Sequence, residues 1–68
     1  MRINKVLMEN LDDLAQKCVT AIPEFKRDYE RTAYNLIETL EPKYNWQFYH
    51  SEFKSRQEWY SRHPNLRR

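Results

Sequence analysis

The chain has 68 residues and a mass of 8.5 kDa, and its 12 Lys and Arg residues against 10 Asp and Glu residues give a formal net charge of +2. It contains no glycine and a single cysteine. The lack of glycine excludes nucleotide sites built on Gly-rich phosphate loops, and one cysteine excludes an intrachain disulfide framework. No apolar run approaches the ~18 residues of a membrane-spanning helix, and the polar stretch after Met8 argues against a secretory signal peptide.

The fold class follows from size and from turn chemistry. A chain this short buries only about 60% of its unfolded surface, so it depends on regular elements and large side chains. The common two-residue hairpin turns favour glycine, so a chain without glycine favours helices over hairpins. Pro23, Pro42 and Pro64 divide the chain into three parts. The sequence therefore predicts an all-α fold, a small three-helix bundle with short Pro-containing connections.

The first predicted helix covers residues 5–21. Its apolar stripe advances by steps of 4, 3, 4 and 4 residues and is widened by Val6, Ala15 and Val19; the stripe consists of Leu7, Leu11, Leu14, Cys18 and Ile22. Two residues compete for the N-cap: Asn4, and Asn10 with the acids Asp12 and Asp13 behind it. Cys18 lies within the stripe, which indicates a buried structural thiol rather than a nucleophile.

The second predicted helix covers residues 24–40. Pro23 suits its first turn, and Pro42 requires it to stop near Leu40 or Glu41. Its apolar stripe also has helical spacing and consists of Phe25, Tyr29, Ala33, Leu36, Ile37 and Leu40.

The third part of the chain carries two competing patterns. Aromatic and polar residues alternate over 44–50, which is a weak strand signature. A helical stripe with steps of 3, 4, 4 and 3 runs through the same region as Trp46, Tyr49, Phe53, Gln57 and Tyr60. A lone strand has no partner in this chain, so we predict a helix over 45–61, with Asn45 as a possible cap. Whether 44–50 is helix or strand stays open. Residues 1–62 then form one helical domain, and 63–68 a flexible basic tail.

Charge and aromatic residues concentrate in this last third. Residues 43–68 hold six basic and two acidic side chains, together with seven of the ten aromatic residues. Trp, Tyr and Arg are enriched at the centres of protein interfaces, whereas the same combination also suits phosphates and unpaired bases. About half of these aromatic rings are needed for the core, with Tyr49 and Phe53 the best candidates. Phe48 and Trp59 fall off the stripe and are predicted to form an exposed patch.

The sequence predicts a small non-enzymatic regulator or accessory protein that modulates a host or partner enzyme complex by protein–protein contact. The predicted partner-binding residues are Trp46, Phe48, Arg56, Trp59, Tyr60 and Arg62. The alternative is nucleic-acid binding by the same face, and a further alternative is a homo-oligomeric structural subunit. Its size and its single cysteine suggest a cytoplasmic protein of bacterial or phage origin that does not enter membranes.

No catalytic, cofactor or metal site is predicted. A zinc site needs four closely arranged ligands, whereas His50 and His63 are thirteen residues apart and the cysteine lies in another helix. His50 is expected to pair with Glu52 or Glu58 in a surface network. Asp12 and Asp13 are interpreted as acids of a first helical turn.

Between the first and third helices the chain carries a series of residues in a recognisable order: Phe25-Lys26, Tyr29, Ile37-Glu38, Pro42 and Trp46. This segment resembles part of the theta subunit of bacterial replicative DNA polymerase, another small helical protein. It departs from that family at Pro23, which interrupts what is a continuous helix there, and in the spacing from Pro42 to Trp46. The resemblance implies a small accessory protein that binds a partner enzyme, without assigning the chain to the family.

Overall fold

The computed structural model describes residues 2–63, and over that range the chain forms three α-helices and no strand. Helix α1 spans Lys5–Thr20, α2 spans Pro23–Leu40 and α3 spans Trp46–Arg62. The prediction of an all-α three-helix bundle is confirmed, with each helix end within one residue of its expected position.

Residues 44–50, for which the sequence left helix and strand open, are helical. A single 3₁₀ turn, Lys43–Asn45, leads directly into α3. The predicted basic tail falls almost entirely on residues 64–68, which lie outside the described residues.

Helix α1 begins at Asn4 rather than at Asn10. The Asn4 side-chain oxygen accepts a hydrogen bond from the backbone N–H of Leu7 at 3.0 Å, as an N-cap requires. Asn10 lies inside the helix, and its amide donates to the carbonyl of Val6. The interpretation of Asp12 and Asp13 as first-turn acids is therefore wrong, because the helix has already made two turns before it reaches them.

Helices α2 and α3 begin without a side-chain cap. Pro23 occupies the first turn of α2, where its missing N–H costs nothing. Asn45 stands at the N-cap position of α3, but the prediction that its side chain caps the helix is wrong. Its backbone has helical angles, and its buried side-chain amide donates instead to the Glu41 carboxylate at 3.0 Å.

The core lies between all three helices. Tyr49 and Phe53 are fully buried, as predicted, and so is most of the α1 stripe. The buried apolar residues are Leu7, Leu11, Leu14, Ala15, Cys18, Ala33, Ile37, Tyr49 and Phe53. The prediction of a buried Cys18 is confirmed; its thiol donates to the Lys26 carbonyl at 3.8 Å, and burial raises the pKa of the thiol.

The ends of the predicted stripes lie outside this core. Ile22 belongs to the extended connection between α1 and α2 and is exposed, and Phe25 and Leu40 are exposed near the two ends of α2. Val6 is also exposed, since it precedes Leu7 by one residue and therefore lies about 100° around α1 from the buried stripe. Helical spacing therefore identifies the buried face correctly but overestimates its length.

Polar contacts tie the three helices together at one end of the bundle. The Asn4 backbone N–H donates to the Tyr49 hydroxyl at 3.1 Å, which joins the start of α1 to α3. The Asn4 side-chain amide also donates to the Glu41 carboxylate at 3.2 Å, on the opposite oxygen from Asn45. Glu41 thus links the beginning of α1 to the beginning of α3.

Replacing Asn4 with alanine is expected to destabilise the bundle by about 1 kcal/mol or more, because it removes both a helix cap and the contact with Glu41. Asn10→Ala is the matched control, and its cost is expected to stay below about 0.5 kcal/mol. Urea unfolding followed by circular dichroism measures both values. Equal losses in the two variants would contradict the assignment of Asn4 as the cap.

The two phenylalanines of α3 provide a second test of the packing. Phe53→Ala removes a fully buried ring and is expected to cost about 3–5 kcal/mol, which is most of the stability of a domain this small. Phe48→Ala removes a ring that is already 37% exposed and is expected to cost about 1 kcal/mol. Thermal unfolding of the first variant should therefore lose its cooperative transition, whereas the second keeps it. A cooperative transition in Phe53→Ala, with none in Phe48→Ala, would mean that Phe48 rather than Phe53 faces the core.

Candidate protein-binding face of α3

Helix α3 has two distinct faces. The predicted stripe from Trp46 to Tyr60 turns inward, toward α1 and α2. At 3.6 residues per turn, Phe48 and Trp59 fall on the other side, where they are 37% and 47% exposed. The prediction that these two rings form an exposed patch is confirmed as far as their exposure is concerned.

We name the solvent-facing stripe of Phe48, Glu52, Ser55 and Trp59 the outer face of α3. Its members are 4, 3 and 4 residues apart, so they share one side of the helix over three turns, a distance of about 16 Å. The outward side of α2 differs in character. Apart from Pro23, Phe25 and Leu40 near its two ends, its exposed residues are charged or polar, among them Glu24, Arg27, Asp28, Arg31, Thr32, Asn35 and Glu38.

Trp59 stands between two open depressions in the surface. One has a volume of about 400 Å³ and is lined by Asp12, Ser55, Arg56, Trp59 and Tyr60. The other has a volume of about 270 Å³ and is lined by Ser55, Glu58, Trp59, Arg62 and His63. Both border Ser55, whose small side chain leaves the space next to the indole unfilled.

Neighbouring rings hold the Trp59 indole in place. The Tyr60 ring lies edge-on to it with centroids 5.2 Å apart, and the His63 ring lies tilted against it at 4.4 Å. Such aromatic pairs are favourable beyond the area that they bury. The exposed indole therefore has ring contacts on two sides.

A polar network joins α3 to α1 beside this surface. The Tyr60 hydroxyl donates to the Asp12 carboxylate at 2.7 Å, and the Gln16 amide donates both to that hydroxyl and to Asp12. Burial of the phenol and its hydrogen bond to Asp12 both raise the pKa of Tyr60. The hydroxyl therefore stays protonated and remains a donor at neutral pH.

Arg56 lies at the edge of the outer face and is engaged by two carboxylates. Its Nη1 atom is 3.5 Å from Glu52 of the same helix, and its Nε atom is 3.8 Å from Asp12 of α1. Further along α3, the exposed Arg62 forms an ion pair with Glu58 at 2.6 Å. Both arginines predicted for partner binding thus have acidic partners within the chain.

The six predicted site residues do not all share one surface. Phe48, Trp59 and Arg62 are exposed, and Arg56 occupies the border with α1. Trp46 and Tyr60 turn inward and pack against the core. The Trp46 indole N–H donates to the Glu41 carbonyl at 2.9 Å, so this ring contributes to the junction between α2 and α3.

Three residues of the candidate surface were missed by the sequence analysis, namely Asp12, Glu52 and Ser55. The spacing of Phe48, Glu52, Ser55 and Trp59 contains the signal for two of them, because it marks a second helical stripe. Asp12 has no such signal, since its position depends on how α1 packs against α3.

His50 does not belong to this surface. Its ring lies edge-on to the Tyr34 ring of α2, with centroids 4.7 Å apart. The predicted pairing with Glu52 or Glu58 is wrong, because those residues are on other sides of α3. Within residues 2–63, no three His, Cys, Asp or Glu side chains come close enough together to hold a metal ion.

Comparison with known protein families, with curated proteins and with solved structures finds no match. The resemblance of the Phe25–Trp46 segment to the theta subunit therefore stays an interpretation of the sequence. Among the described helices, none has the length and apolar character needed to cross a membrane.

Replacing Tyr60 with phenylalanine tests the network between α1 and α3. The variant leaves Asp12 without its phenol donor and is expected to lose about 1–2 kcal/mol of stability at pH 7. Since the folded-state pKa of Tyr60 is raised above 10.0, its contribution is complete below pH 10 and is lost as the pH rises further. Chemical unfolding at pH 7 and pH 11 should therefore show a smaller difference for Tyr60→Phe than for the native chain. An unchanged pH dependence would contradict this role of the phenol.

Proposed function

We propose that this protein is a small non-enzymatic accessory or regulatory subunit that binds another protein through the outer face of α3. The observation that carries the proposal is the pair of large aromatic rings, Phe48 and Trp59, exposed on one side of a helix whose opposite side fills the core. Exposed aromatic rings are frequent at sites where one protein binds another. The two other described helices cover only the inner side of α3.

The ring contacts of this surface support a role in recognition. Trp59 is held by Tyr60 and His63, and Phe48 lies edge-on to the buried Tyr49 ring with centroids 5.1 Å apart. Rings that are ordered before binding lose little conformational freedom on binding. Tryptophan is also among the residues that contribute most to binding when a partner covers them.

The charges favour a protein partner over the nucleic-acid alternative. Phosphate binding depends on basic side chains that are available to replace counterions. Arg56 and Arg62 instead have acidic neighbours in Asp12, Glu52 and Glu58, with which a phosphate would compete. We extend the proposal to a cytoplasmic protein of bacterial or phage origin, on the basis of its size and cysteine content.

The test is affinity capture of the tagged chain from extract of its native host, with and without nuclease, with the proteins identified by mass spectrometry. We expect a specific protein partner that survives nuclease and is lost with the double variant Phe48→Ala/Trp59→Ala. Hot-spot truncation of about 2 kcal/mol corresponds to binding weaker by about 30-fold.

Phe25→Ala is the matched control, because it removes an exposed aromatic ring from α2 and leaves α3 intact. Circular dichroism verifies that each variant keeps its helices. Capture of the same partner by the double variant at native yield would reject the proposal. Loss of all captured material after nuclease would favour nucleic-acid binding over protein binding.

A further inference from the structure

Three exposed apolar side chains lie close together at the end of the bundle where α1 begins, α2 ends and α3 begins. Glu41 joins these three segments, because it accepts hydrogen bonds from the side-chain amides of Asn4 at 3.2 Å and of Asn45 at 3.0 Å. The residue before each of the three is apolar and exposed, by 43%, 46% and 84% respectively; these residues are Ile3, Leu40 and Tyr44. Each has its Cα atom about 3.8 Å from that of a member of the hydrogen-bonded group, and we name the three the apolar tip.

The segments that carry the apolar tip are basic. Residues 2–8 contain no acidic side chain, and Glu41, whose two oxygens accept the hydrogen bonds, is the only acid in residues 40–50. The exposed bases of the two segments form no ion pair with a described residue; they are Arg2, Lys5 and Lys43. The next acids, Glu9 and Glu38, lie about one turn further into α1 and α2. Three positive charges without acidic partners therefore accompany the apolar tip.

We propose that this end of the molecule binds the surface of an anionic lipid membrane. Apolar side chains bordered by Lys and Arg suit such a surface, because the apolar groups enter the boundary between headgroups and acyl chains while the cations attract anionic headgroups. Tyrosine matches this depth, since its ring is apolar and its hydroxyl stays hydrated. The contact differs from the sequence-based expectation of no membrane contact, because the exposure of these side chains follows from how the helices pack.

The shape of this end favours a lipid surface over a folded partner. Three depressions of about 400, 380 and 270 Å³ are lined by residues of the ranges 12–26 and 55–63, and none of them includes a residue of the apolar tip. Tyr44 instead projects from the surface with the highest exposed fraction among the large apolar side chains of the described residues. Side chains that dominate protein interfaces are seated in well-packed pockets, whereas a lipid surface accommodates a projecting side chain without one.

The opposite end of the bundle lacks this combination. Ile22 and Phe25 are exposed there as well, by 56% and 53%. Residues 20–28 around them contain two acids and two bases, so that their charges cancel. Exposed apolar side chains thus occur at both ends of the bundle, whereas the excess of positive charge accompanies those of the apolar tip. The opposite end therefore supplies the matched controls.

The number of charges sets the expected strength of binding. One Lys or Arg near an anionic surface strengthens binding by about fivefold, so three strengthen it by about 100-fold. Stable anchoring needs two strong signals, and a single myristoyl chain alone gives half-binding at about 0.1 mM lipid. Since the apolar tip enters less deeply than an acyl chain, we expect weak, reversible binding with half-saturation at about 1 mM lipid.

The first experiment is cosedimentation of the purified full chain with vesicles of phosphatidylcholine that contain about 30% phosphatidylserine, compared with pure phosphatidylcholine vesicles. We expect binding to the anionic vesicles in about 0.1 M salt, and at least tenfold weaker binding to the neutral vesicles or in about 0.5 M salt. A native chain that stays in the supernatant with both kinds of vesicle overturns the inference. Equal binding to both kinds overturns it as well.

The second experiment locates the contact. Tyr44→Ser removes the projecting ring and is expected to weaken vesicle binding by about fivefold, whereas the matched control Phe25→Ser leaves it within about twofold. The double variant Lys5→Glu/Lys43→Glu is expected to weaken it by more than tenfold. Its control, Arg27→Glu/Arg31→Glu, makes the same change in net charge on the exposed side of α2 and is expected to weaken binding less than threefold. Circular dichroism verifies that each variant keeps its helices. Equal losses in variant and control would overturn the assignment of the contact to this end.

The inference and the proposed function fail separately, because the contact uses no residue of the outer face of α3 and the vesicle assay contains no other protein. If the native chain ignores vesicles while Phe48→Ala/Trp59→Ala still loses its captured partner, the lipid contact is wrong and the proposed function stands. If vesicles bind and the captured partner is retained by that double variant, the reverse holds. Loss of a captured protein in Lys5→Glu/Lys43→Glu, without vesicle binding by the native chain, would mean that this end contacts an acidic protein and would overturn the lipid contact.

Discussion

The burial of Tyr49 and Phe53 decides the arrangement of everything else in this molecule. These two rings occupy the space between α1 and α2 and are fully removed from solvent. Because a helix carries its side chains at fixed angles, that burial also fixes which residues of α3 point away from the bundle. Phe48 and Trp59 are exposed for this reason, and no independent feature of the surface is needed to explain their position.

Two sets of polar contacts keep α3 from rotating about its own axis. At the beginning of the helix, the Tyr49 hydroxyl accepts the Asn4 N–H of α1. Three turns further along α3, the Tyr60 hydroxyl donates to Asp12 of α1. The ring of each tyrosine belongs to the inward-facing stripe of α3, and its hydroxyl forms a hydrogen bond with a residue of α1 or its N-cap. A rotation that buried Phe48 or Trp59 would break both contacts and leave Asp12 without its phenol donor, which is costly for a partly buried carboxylate.

The sequence was sufficient for the fold and for part of the candidate site. Helical spacing, prolines and the lack of glycine predicted three helices correctly, because a chain with no usual hairpin turn has few other ways to bury its apolar residues. Ile22, Phe25 and Leu40, at the ends of the predicted stripes, were wrongly assigned to the buried face. Periodicity carries no information about where neighbouring helices stop covering one another. Trp46 and Tyr60 were assigned to a binding surface because their residue types suit one; the structure turns them inward. Asp12 could not be associated with Arg56 and Tyr60, because that contact is between residues more than forty positions apart.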